Sequence, residues 1–279
     1  MNIAPFVKWA GGKRQLLDKL IEYMPKKYKT YYEPFVGGGA LLLKLQPKKA
    51  VINDFNKELM DVYKCLRNKR YYKKLVECLK YHEEHHSQEY FYQVRELDRH
   101  PSKFRAMRMY EKAARMIYLN KSCFNGLYRV SSKGYFNVPF NGKETVKIFD
   151  EANFENLHKY FHKRKPIMLT KDFVEATKTA KAGDFVYFDP PYDIADDKKI
   201  ASFTSYTKND FGKEDQVRLA EHVKELTKRG VLVMLSNLNT ELIRELYKDF
   251  NIHIVKANRM INSKADGRGK VEEVIVTNY

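Results

Sequence analysis

The stretch that decides the fold is Phe185-Val186-Tyr187-Phe188, followed directly by Asp189-Pro190-Pro191-Tyr192. The first four residues are aromatic or β-branched and predict a buried strand. Because prolines cannot continue a sheet ladder, the chain must turn there and present Asp189 and Tyr192. In open α/β sheets, ligands bind at the carboxyl ends of the strands. A simple strand-ending turn with a surface aspartate is the alternative, but two prolines and a flanking aromatic residue favour a functional site.

The composition indicates a polyanionic partner. The chain has 279 residues and a net charge of +17, from 52 Lys and Arg against 35 Asp and Glu. Such an excess suggests nucleic acid or a membrane surface. A lysine-rich genome would raise lysine everywhere, but residues 64–133 hold 17 basic and only 7 acidic residues, so the excess is localised. There is no apolar run of transmembrane length and no N-terminal signal core, which predicts a soluble cytoplasmic protein.

Cysteine and histidine positions argue against a metal site. Cys65, Cys78 and Cys123 are odd in number and show no CxxC spacing, so neither disulfides nor a zinc knuckle is expected. Residues 82–86 contain three histidines, but no cysteine or paired carboxylates accompany them. We therefore interpret this segment as a solvated helix end and expect no metal.

The ends of the chain alternate between strand and helix signals, whereas the middle is helical. An extended segment at 31–36 leads into a glycine turn, a helix at 40–45 and a short strand at 50–52. Residues 57–119 are mostly helical, and residues 120–142 have turn chemistry. Later signals predict strands at 186–188, 231–235 and 274–277 and helices at 214–228 and 241–250. On the first of these helices, the expected shared face consists of Val217, Ala220, Val223 and Leu226.

The segment Glu33-Pro34-Phe35-Val36-Gly37-Gly38-Gly39 lies at a strand-to-helix turn. Glycines allow positive φ and let the backbone approach a ligand closely. Asp54 follows at the end of the next strand, where nucleoside-binding folds place an acid for ribose hydroxyls. The pair predicts a nucleoside-containing cofactor, although Asp54 could also cap a helix starting near Asn56. No Walker-type motif is present, which disfavours a triphosphate.

Together these segments, in this order along nearly the whole chain, resemble the Dam-type DNA adenine methyltransferases of the D12 class, including those of GATC restriction–modification systems. The ordered set is much more specific than any one motif. The matching segments are Lys8-Trp9-Ala10-Gly11-Gly12-Lys13, Glu33 to Gly39, Asn53-Asp54, Asn125-Gly126-Leu127-Tyr128-Arg129, Gly134 to Phe140, Asp189 to Tyr192, Phe203-Thr204-Ser205-Tyr206 and Leu235-Ser236-Asn237.

The resemblance implies an α/β, class I S-adenosylmethionine-dependent methyltransferase fold with a Rossmann-like sheet. Residues 1–56 and 144–279 would form the catalytic domain, and residues 57–143 an inserted helical and β-hairpin DNA-recognition domain. The implied cofactor is S-adenosylmethionine, which leaves as S-adenosylhomocysteine, without a metal. The implied cofactor-binding residues are Trp9, Ala10, Gly11, Lys13, Glu33, Pro34, Phe35, Gly37, Gly39, Asp54 and Asp189.

The catalytic motif fits methyl transfer to an amine. The exocyclic amine of adenine is a poor nucleophile because its lone pair is conjugated with the ring. Asp189 and the carbonyl of Pro190 could accept both amine hydrogens and draw the lone pair out of conjugation, so positioning and charge complementarity would supply the rate. The adenine must leave the base stack, and Tyr192 would stack on it.

The resemblance also implies which residues meet duplex DNA. The basic residues of 64–133 would contact phosphates, and Arg129 would read a guanine edge, with a phosphate contact as its alternative. Lys8 would help to read the second guanine. The other expected DNA-binding residues are Asn125, near the flipped adenine, Leu127 and Pro139, near the bases, and Asn137.

One departure from the family affects the expected GATC site. The family usually continues Gly-Arg/Lys-Tyr after Val-Pro-Phe, whereas residues 141–145 here read Asn-Gly-Lys-Glu-Thr, without the Tyr that assists at the first guanine. A relaxed or altered site is therefore the alternative to GATC.

Two rival functions remain open. Amino methyltransferases for cytosine, RNA or protein glutamine more often carry Ser or Asn before Pro-Pro, and a non-catalytic DNA-binding protein would not be expected to keep the glycine turn, Asp54 and Asp189 intact. The expected setting is the cytoplasm of a bacterium, or a phage, with a cognate restriction endonuclease that makes no stable contact.

Overall fold

The computed structural model describes residues 3–9, 13, 16–193, 211–258 and 270–279. Its centre is a seven-stranded sheet with the order β3-β2-β1-β4-β5-β7-β6. The strands are β1 (Tyr31–Glu33), β2 (Ala50–Asn53), β3 (Ile167–Leu169), β4 (Phe185–Phe188), β5 (Leu232–Leu238), β6 (Asn251–Asn258) and β7 (Lys270–Thr277). The strands β1 to β5 pair in parallel, and β7 runs antiparallel between β5 and β6. The expected mixed α/β sheet is confirmed.

Eleven helices lie in the part of the chain that the structure describes. They are α1 (Leu17–Tyr23), α2 (Ala40–Leu45), α3 (Lys57–Arg67), α4 (Lys69–Glu84), α5 (Gln88–Glu96), α6 (Pro101–Ala106), α7 (Met109–Ser122), α8 (Glu151–Arg164), α9 (Phe173–Ala176), α10 (Lys213–Lys228) and α11 (Glu241–Leu246). Side-chain caps start several of them: Asn56 accepts from the Leu59 amide at 3.1 Å, and Asn68 accepts from the first turn of α4. The cap of α3 is therefore Asn56, not Asp54.

The central strands are buried on both faces, as parallel strands covered by helices must be. Tyr31, Ile52 and Tyr187 point into one apolar cluster, and Val186 and Phe188 point into the other. The first cluster also contains buried residues of the helices in 57–143, including those on α4, α5 and α7. Sheet and insertion therefore share one core, and the domain boundaries remain a prediction.

Three predicted elements differ from the structure in detail. Val217 is 39 % exposed, and the buried face of α10 is instead formed by Gln216, Leu219, Ala220, Val223 and Leu226. Positions three apart drift around a helix by 60° with each step of three residues, so Val217 lies about 120° away from Val223 and leaves the stripe that Val223 and Leu226 define. The strand β5 extends through Leu238 because β7 pairs with it there. The helix α11 ends at Leu246 rather than at residue 250.

The histidines of 82–86 lie at the end of α4, as predicted, and His85 is exposed there, but His82 and His86 are partly buried. His82 stacks on Tyr118, with ring centroids 4.9 Å apart, and its Nδ1 lies 2.8 Å from the Tyr90 hydroxyl. Burial lowers the pKa of His82 to about 4. His86 lies between the Tyr118 hydroxyl (3.1 Å) and the Lys143 carbonyl (3.0 Å). The predicted helix end is therefore confirmed and is solvated at His85, whereas tyrosines from α5 and α7 cover His82 and His86.

Candidate active site

Asp189 lies at the end of β4, beside β1, where the strand order reverses. Crevices at such switch points are where open α/β sheets bind ligands. Lys13 Nζ lies 2.7 Å from Asp189 Oδ1, and only 7 % of the lysine side chain is exposed. Ser236 Oγ donates to the same oxygen at 2.9 Å. Burial raises the pKa of the Asp189 carboxyl above its usual range, while Lys13 and Ser236 limit the rise.

The turn after Asp189 is held by polar side chains of α10 and β5. Gln216 Nε2 donates to the Pro191 carbonyl at 2.9 Å, and Asn237 Oδ1 accepts from the Asp193 amide at 3.0 Å. Asn237 Nδ2 in turn donates to Gln216 Oε1 at 3.0 Å. All these contacts are buried or partly buried, so the turn is fixed independently of any ligand. The strand therefore ends at Phe188, as the prolines predict, and side chains of α10 and β5 fix the segment that follows it.

Tyr192 is fixed at both ends of its side chain. Its hydroxyl donates to Glu273 Oε2 at 2.6 Å, across from β7. Lys13 Nζ lies 4.2 Å from the ring centroid, within the range of a cation–π contact. Lys13 therefore contacts both the carboxylate and the aromatic ring of the motif, and the three side chains form one unit.

The glycine turn packs tightly against its neighbours. Gly37 and Gly39 have φ values of 48° and 70°, which other residues rarely adopt. A Cβ on Gly37 would lie 2.8 Å from Trp9 Cδ1, and one on Gly39 would lie 2.6 Å from the Tyr63 hydroxyl. Tyr63 also donates to the Gly37 carbonyl at 2.9 Å. The backbone conformation and the lack of space both require glycine here.

Asp54 holds the glycine turn in place. Its Oδ2 accepts from the Gly37 amide at 3.0 Å, and its Oδ1 accepts from the Asn56 amide at 2.9 Å. Burial raises the pKa of Asp54 to about 6, although these two hydrogen bonds act in the opposite direction. The carboxylate is thus already shared between the turn and the start of α3, and each oxygen retains a second lone pair for a ligand hydroxyl.

Glu33 ends β1 and adds a third acid to this edge of the sheet. It is 3 % exposed, and the Tyr31 hydroxyl donates to its Oε2 at 2.9 Å. Burial raises its pKa well above the usual range, and the negative charges of Asp189 and Asp54 raise it further. The carboxyl ends of β1, β2 and β4 therefore carry Glu33, Asp54 and Asp189. The remaining members of the segment are placed by packing: the Pro34 carbonyl accepts from Asn53, and Phe35 packs on Phe173.

The N-terminal segment joins the glycine turn to the predicted DNA-reading segment. Trp9 packs against Gly37 on one side, and its ring lies 5.4 Å from that of Tyr128. The backbone of Lys8 is bound by Asn120, whose Oδ1 accepts from the Lys8 amide and whose Nδ2 donates to the Lys8 carbonyl, both at 2.8 Å. Ala10, Gly11 and residues 203–206 lie outside the described residues.

Residues 122–141 form the expected hairpin, in an irregular form. Phe124 pairs through its amide with the Pro139 carbonyl (2.9 Å), and the Asn137 amide donates to the Arg129 carbonyl (3.1 Å). Arg129 Nε donates to Asn137 Oδ1 at 2.8 Å. That bond uses Nε, so it does not consume the two terminal nitrogens of the guanidinium.

The other predicted DNA-binding positions differ in exposure. The side chains of Asn125 and Pro139 are exposed, as is that of Lys8. Asn125 adopts a φ of 54°, which is uncommon for a residue other than glycine. Leu127 is only 9 % exposed and belongs to the first apolar cluster. Leu127 therefore stabilises the hairpin from within, whereas the other three face outwards.

Several residues of the site could not be identified from the motifs alone. Asn120 is fully buried and also donates to the Gly126 carbonyl at 2.8 Å, so it ties Lys8 to the hairpin. Gln216 was seen only as part of a helix. Phe55 and Phe124 expose 59 % and 52 % of their surfaces beside Asp54 and Asn125, respectively. An aromatic residue directly beside a predicted ligand-binding position was the available signal for the last two.

Within the described residues there is no group of three metal-ligating side chains, and no helix there has the length and apolarity needed to cross a membrane. The site therefore consists of acids, one buried lysine, a glycine turn and a polar hairpin. The strand order, the glycine turn and the acids at the strand ends define a class I methyltransferase.

Comparison with known proteins gives the particular family. The model for D12 class N6 adenine-specific DNA methyltransferases matches residues 9–261, and the chain belongs to this family. It is 46 % identical to the type II methyltransferase M1.LlaDCHI of Lactococcus lactis subsp. cremoris, over all of this chain and 96 % of that protein. It is 44 % identical to the type II methyltransferase M.MjaIII of Methanocaldococcus jannaschii, over the full length of both. Its identity to the DNA adenine methylase of Escherichia coli K12 is 34 %, covering 97 % and 93 % of the two chains.

The family membership confirms the expected enzyme class. The protein is an adenine-specific DNA methyltransferase with DNA as its substrate, and methyltransferases of this kind use S-adenosylmethionine in general. The rival functions, which were methylation of cytosine, RNA or protein glutamine and non-catalytic DNA binding, are therefore set aside.

Proposed function

We propose that the enzyme methylates the exocyclic amine of a flipped adenine within a short duplex site, with GATC as the expected site. The observation that carries the proposal is the environment of Asp189. Lys13 and Ser236 both contact its Oδ1. The second oxygen, Oδ2, is then the one that would accept a hydrogen from the adenine amine. The Pro190 carbonyl would accept the other hydrogen.

The residues at the strand ends fit S-adenosylmethionine. When bound, this cofactor supplies an activated methyl group on a positively charged sulfur. The carboxyl groups of Glu33 and Asp189 would favour a positively charged ligand, since the described residues of the site offer only Lys13 as a neighbouring cation. Asp54 would bind ribose hydroxyls with its remaining lone pairs, and the exposed ring of Phe55 would cover an adenine base. Trp9 and the backbone of Gly37 and Gly39 would line the same crevice.

The methyl-transfer step would need no covalent bond to the enzyme. The cofactor would supply its methyl group directly to the amine nitrogen, and the electron pair of the carbon–sulfur bond that is lost would remain on sulfur. The methylated amine is then cationic and loses one proton, which Asp189 or water can accept. An ionised Asp189 stabilises the positive charge that develops on the nitrogen. Tyr192, held by Glu273, would provide the flat surface on which the extruded base stacks.

The hairpin would read the bases around the target. Arg129 would bind a guanine edge with its two terminal nitrogens while Asn137 orients the guanidinium through Nε. Lys8 would reach the bases from the segment that Asn120 ties to the hairpin. The exposed ring of Phe124 would stack on or between bases, as aromatic and apolar side chains do in proteins that open the duplex.

The setting follows from the relatives. Two of them are named as type II methyltransferases, so we propose that this enzyme also protects DNA against a cognate endonuclease, without a stable contact between the two. The cytoplasm, where DNA is accessible, is the expected location.

Modification-sensitive sequencing of DNA from cells that express the chain tests the proposed site. We expect N6-methyladenine confined to GATC. The Arg129→Ala variant should spread methylation to sites that differ at one guanine, because a bidentate contact discriminates by about 1–3 kcal/mol. The matched control is Lys133→Ala, an exposed cation on the same hairpin, which should weaken binding equally at all sites. Methylation centred on another sequence would refute the GATC assignment, and unchanged specificity in Arg129→Ala would refute the role of Arg129.

A further inference from the structure

We propose that the edge of the sheet opposite the active site is a second, sequence-independent surface for duplex DNA. This surface, the basic edge, consists of the loops that precede four parallel strands and of the junction between α3 and α4. The segments before the strands are residues 24–30, 46–49, 162–166, which include the end of α8, and 177–184; the junction, residues 67–73, includes the first turn of α4. The inference goes beyond the methylation reaction and rests on the family's DNA substrate, not on the proposed base sequence.

The four loops lie side by side because the strands start level with one another. Tyr31 is paired with both Ala50 and Phe185, and Val51 is paired with Ile167. Hydrogen bonds also connect the loops: the Lys29 amide donates to the Gly183 carbonyl at 2.8 Å. Adjacent strands are about 4.8 Å apart, so the row from β3 to β4 is about 14 Å long.

The α3–α4 junction joins this row through α8. His158 Nδ1 lies 2.7 Å from the Leu66 carbonyl, and Arg67 Nη1 donates to the Pro166 carbonyl at 3.0 Å. The Tyr72 and His158 rings are parallel, with centroids 4.2 Å apart. The basic start of α4 therefore lies at the basic edge. The other end of α4 approaches the hairpin, since His86 contacts Lys143.

The charge of the basic edge is almost entirely of one sign. It holds fourteen Lys and Arg and one acid, so it carries +13 of the chain's net +17. The acid, Asp184, is 1 % exposed, and its carboxylate accepts from the Thr30 and Lys181 amides. Among the residues that the structure describes, none of these fourteen cations forms an ion pair with an acid. Twelve of them are exposed: Lys26, Lys27, Lys29, Lys48, Lys49, Lys69, Arg70, Lys73, Lys163, Lys165, Lys178 and Lys181.

Such a surface fits the phosphate backbone of a duplex. Its row of about 14 Å is comparable to the roughly 12 Å width of the major groove, so cations at its two ends can meet phosphates of both strands. Lysines act as point charges and carry no base preference of their own. An anionic membrane fits less well, because stable binding to a membrane surface also needs apolar side chains that enter it. Among the described residues of β1 to β4, only Ile167 exposes a large apolar side chain.

The two DNA surfaces face opposite ways along the strand axes. The active site lies at the carboxyl ends of β1, β2 and β4, and the basic edge lies at their amino ends. We expect a duplex bound at the hairpin to leave the basic edge free, because the two surfaces lie at opposite ends of the strands. The enzyme should therefore hold two DNA segments at once, which would let it pass from one segment to another without full release.

A bridging experiment tests this surface. A bead-bound duplex that contains GATC is saturated with the full-length enzyme and washed, and a labelled 30-base-pair duplex without GATC is then added. The edge variant combines Lys26→Gln, Lys27→Gln, Lys48→Gln and Lys49→Gln. The control variant removes four exposed lysines that lie outside both the basic edge and residues 64–133, through Lys19→Gln, Lys224→Gln, Lys248→Gln and Lys256→Gln. Methyl transfer to a short single duplex is measured for all three proteins.

We expect the native enzyme and the control variant to capture the labelled duplex. The edge variant should capture at least about tenfold less, and the slope of log affinity against log salt should fall by up to about 3.6, at 0.9 per lost phosphate contact. Methyl transfer should stay within about twofold in each, because none of these lysines belongs to the active site. Capture does not require transfer, so failure of the proposed reaction would leave this test intact.

Two results would overturn the inference. One is capture by the edge variant at the level of the control, which would mean that bridging uses other surfaces. The other is a native enzyme that captures no labelled duplex. Binding of the native enzyme and the edge variant to phosphatidylserine vesicles is then compared. Vesicle binding that the edge variant loses would assign the basic edge to a membrane surface instead.

Discussion

Replacing Lys13 with methionine tests the link between the buried ion pair and the reaction. Lys13 is 7 % exposed and its Nζ lies 2.7 Å from Asp189 Oδ1. Burial already raises the pKa of Asp189, and the positive charge of Lys13 is the largest effect that opposes this rise. Removal of a neighbouring opposite charge raises the pKa of a carboxyl by about 1–3 units, which corresponds to about 1.4–4 kcal/mol.

The sign of the effect on activity follows from the role of the carboxylate. Ionised Asp189 accepts an amine hydrogen more strongly than the neutral acid and stabilises the positive charge that develops on the nitrogen, so activity falls as the pH drops through its pKa. In Lys13→Met the acidic limb of kcat should therefore move to higher pH by about 1–3 units. The assay is transfer of a labelled methyl group to a short duplex from pH 5 to 9, at saturating cofactor so that weaker cofactor binding does not enter.

Two variants serve as controls for this profile. Lys13→Arg retains the positive charge and should leave the acidic limb close to that of the native enzyme. Lys19→Met removes an exposed lysine that pairs with Glu22 and should leave the profile unchanged. The reasoning would be refuted by a Lys13→Met enzyme whose acidic limb stays at the native pH, since Asp189 would then not be the group that limits the reaction at low pH.

Three further predictions concern stability. Gly39→Ala should lower the free energy of unfolding in urea by about 2–4 kcal/mol, because the new methyl group would clash with Tyr63 and alanine is also strained at this positive φ. Gly142→Ala is the control: it has a similar φ but open space around it, and should cost only about 1 kcal/mol. The pKa of His82 is about 4 in the folded protein and 6.5 in the unfolded chain, so the stability that its neutral ring contributes is present above pH 6.5 and is lost as the pH falls through 4. His82→Phe should therefore reduce the loss of unfolding free energy between pH 7 and pH 4 by up to about 3 kcal/mol. An identical pH dependence in the variant would contradict the burial argument. Asn120→Ala leaves three backbone groups without their partner and should cost about 2–4 kcal/mol in thermal unfolding while weakening DNA binding; a loss below about 0.5 kcal/mol would show that water replaces the side chain.

Local sequence signals predicted much of the fold. The apolar run before Asp189 forms β4, the glycines form the turn before α2, and the two segments lie at the same edge of the sheet. These features depend on backbone stiffness, burial and positive φ, which are properties of a few consecutive residues. The resemblance of the ordered motifs then gave the correct enzyme family.

Contacts between distant residues could not be predicted in the same way. Asn120 meets Lys8 across 112 positions, and Tyr192 meets Glu273 across 81. The segment around His82 has the composition of a solvated helix end, yet tyrosines from other helices surround the His82 ring. The basic residues of 64–133 belong to one continuous segment of the chain. Because α4 extends from the basic edge towards the hairpin, the two ends of that segment lie at different surfaces.

The central claim is that Asp189 and the turn after it hold the adenine amine for methylation. Its most direct test is nucleoside analysis of duplex DNA treated with S-adenosylmethionine and either the native enzyme or Asp189→Ala. The account predicts N6-methyladenine with the native enzyme and at least about a hundredfold less with the variant, while both proteins still bind the duplex. N6-methyladenine formed by Asp189→Ala at the native rate would contradict it.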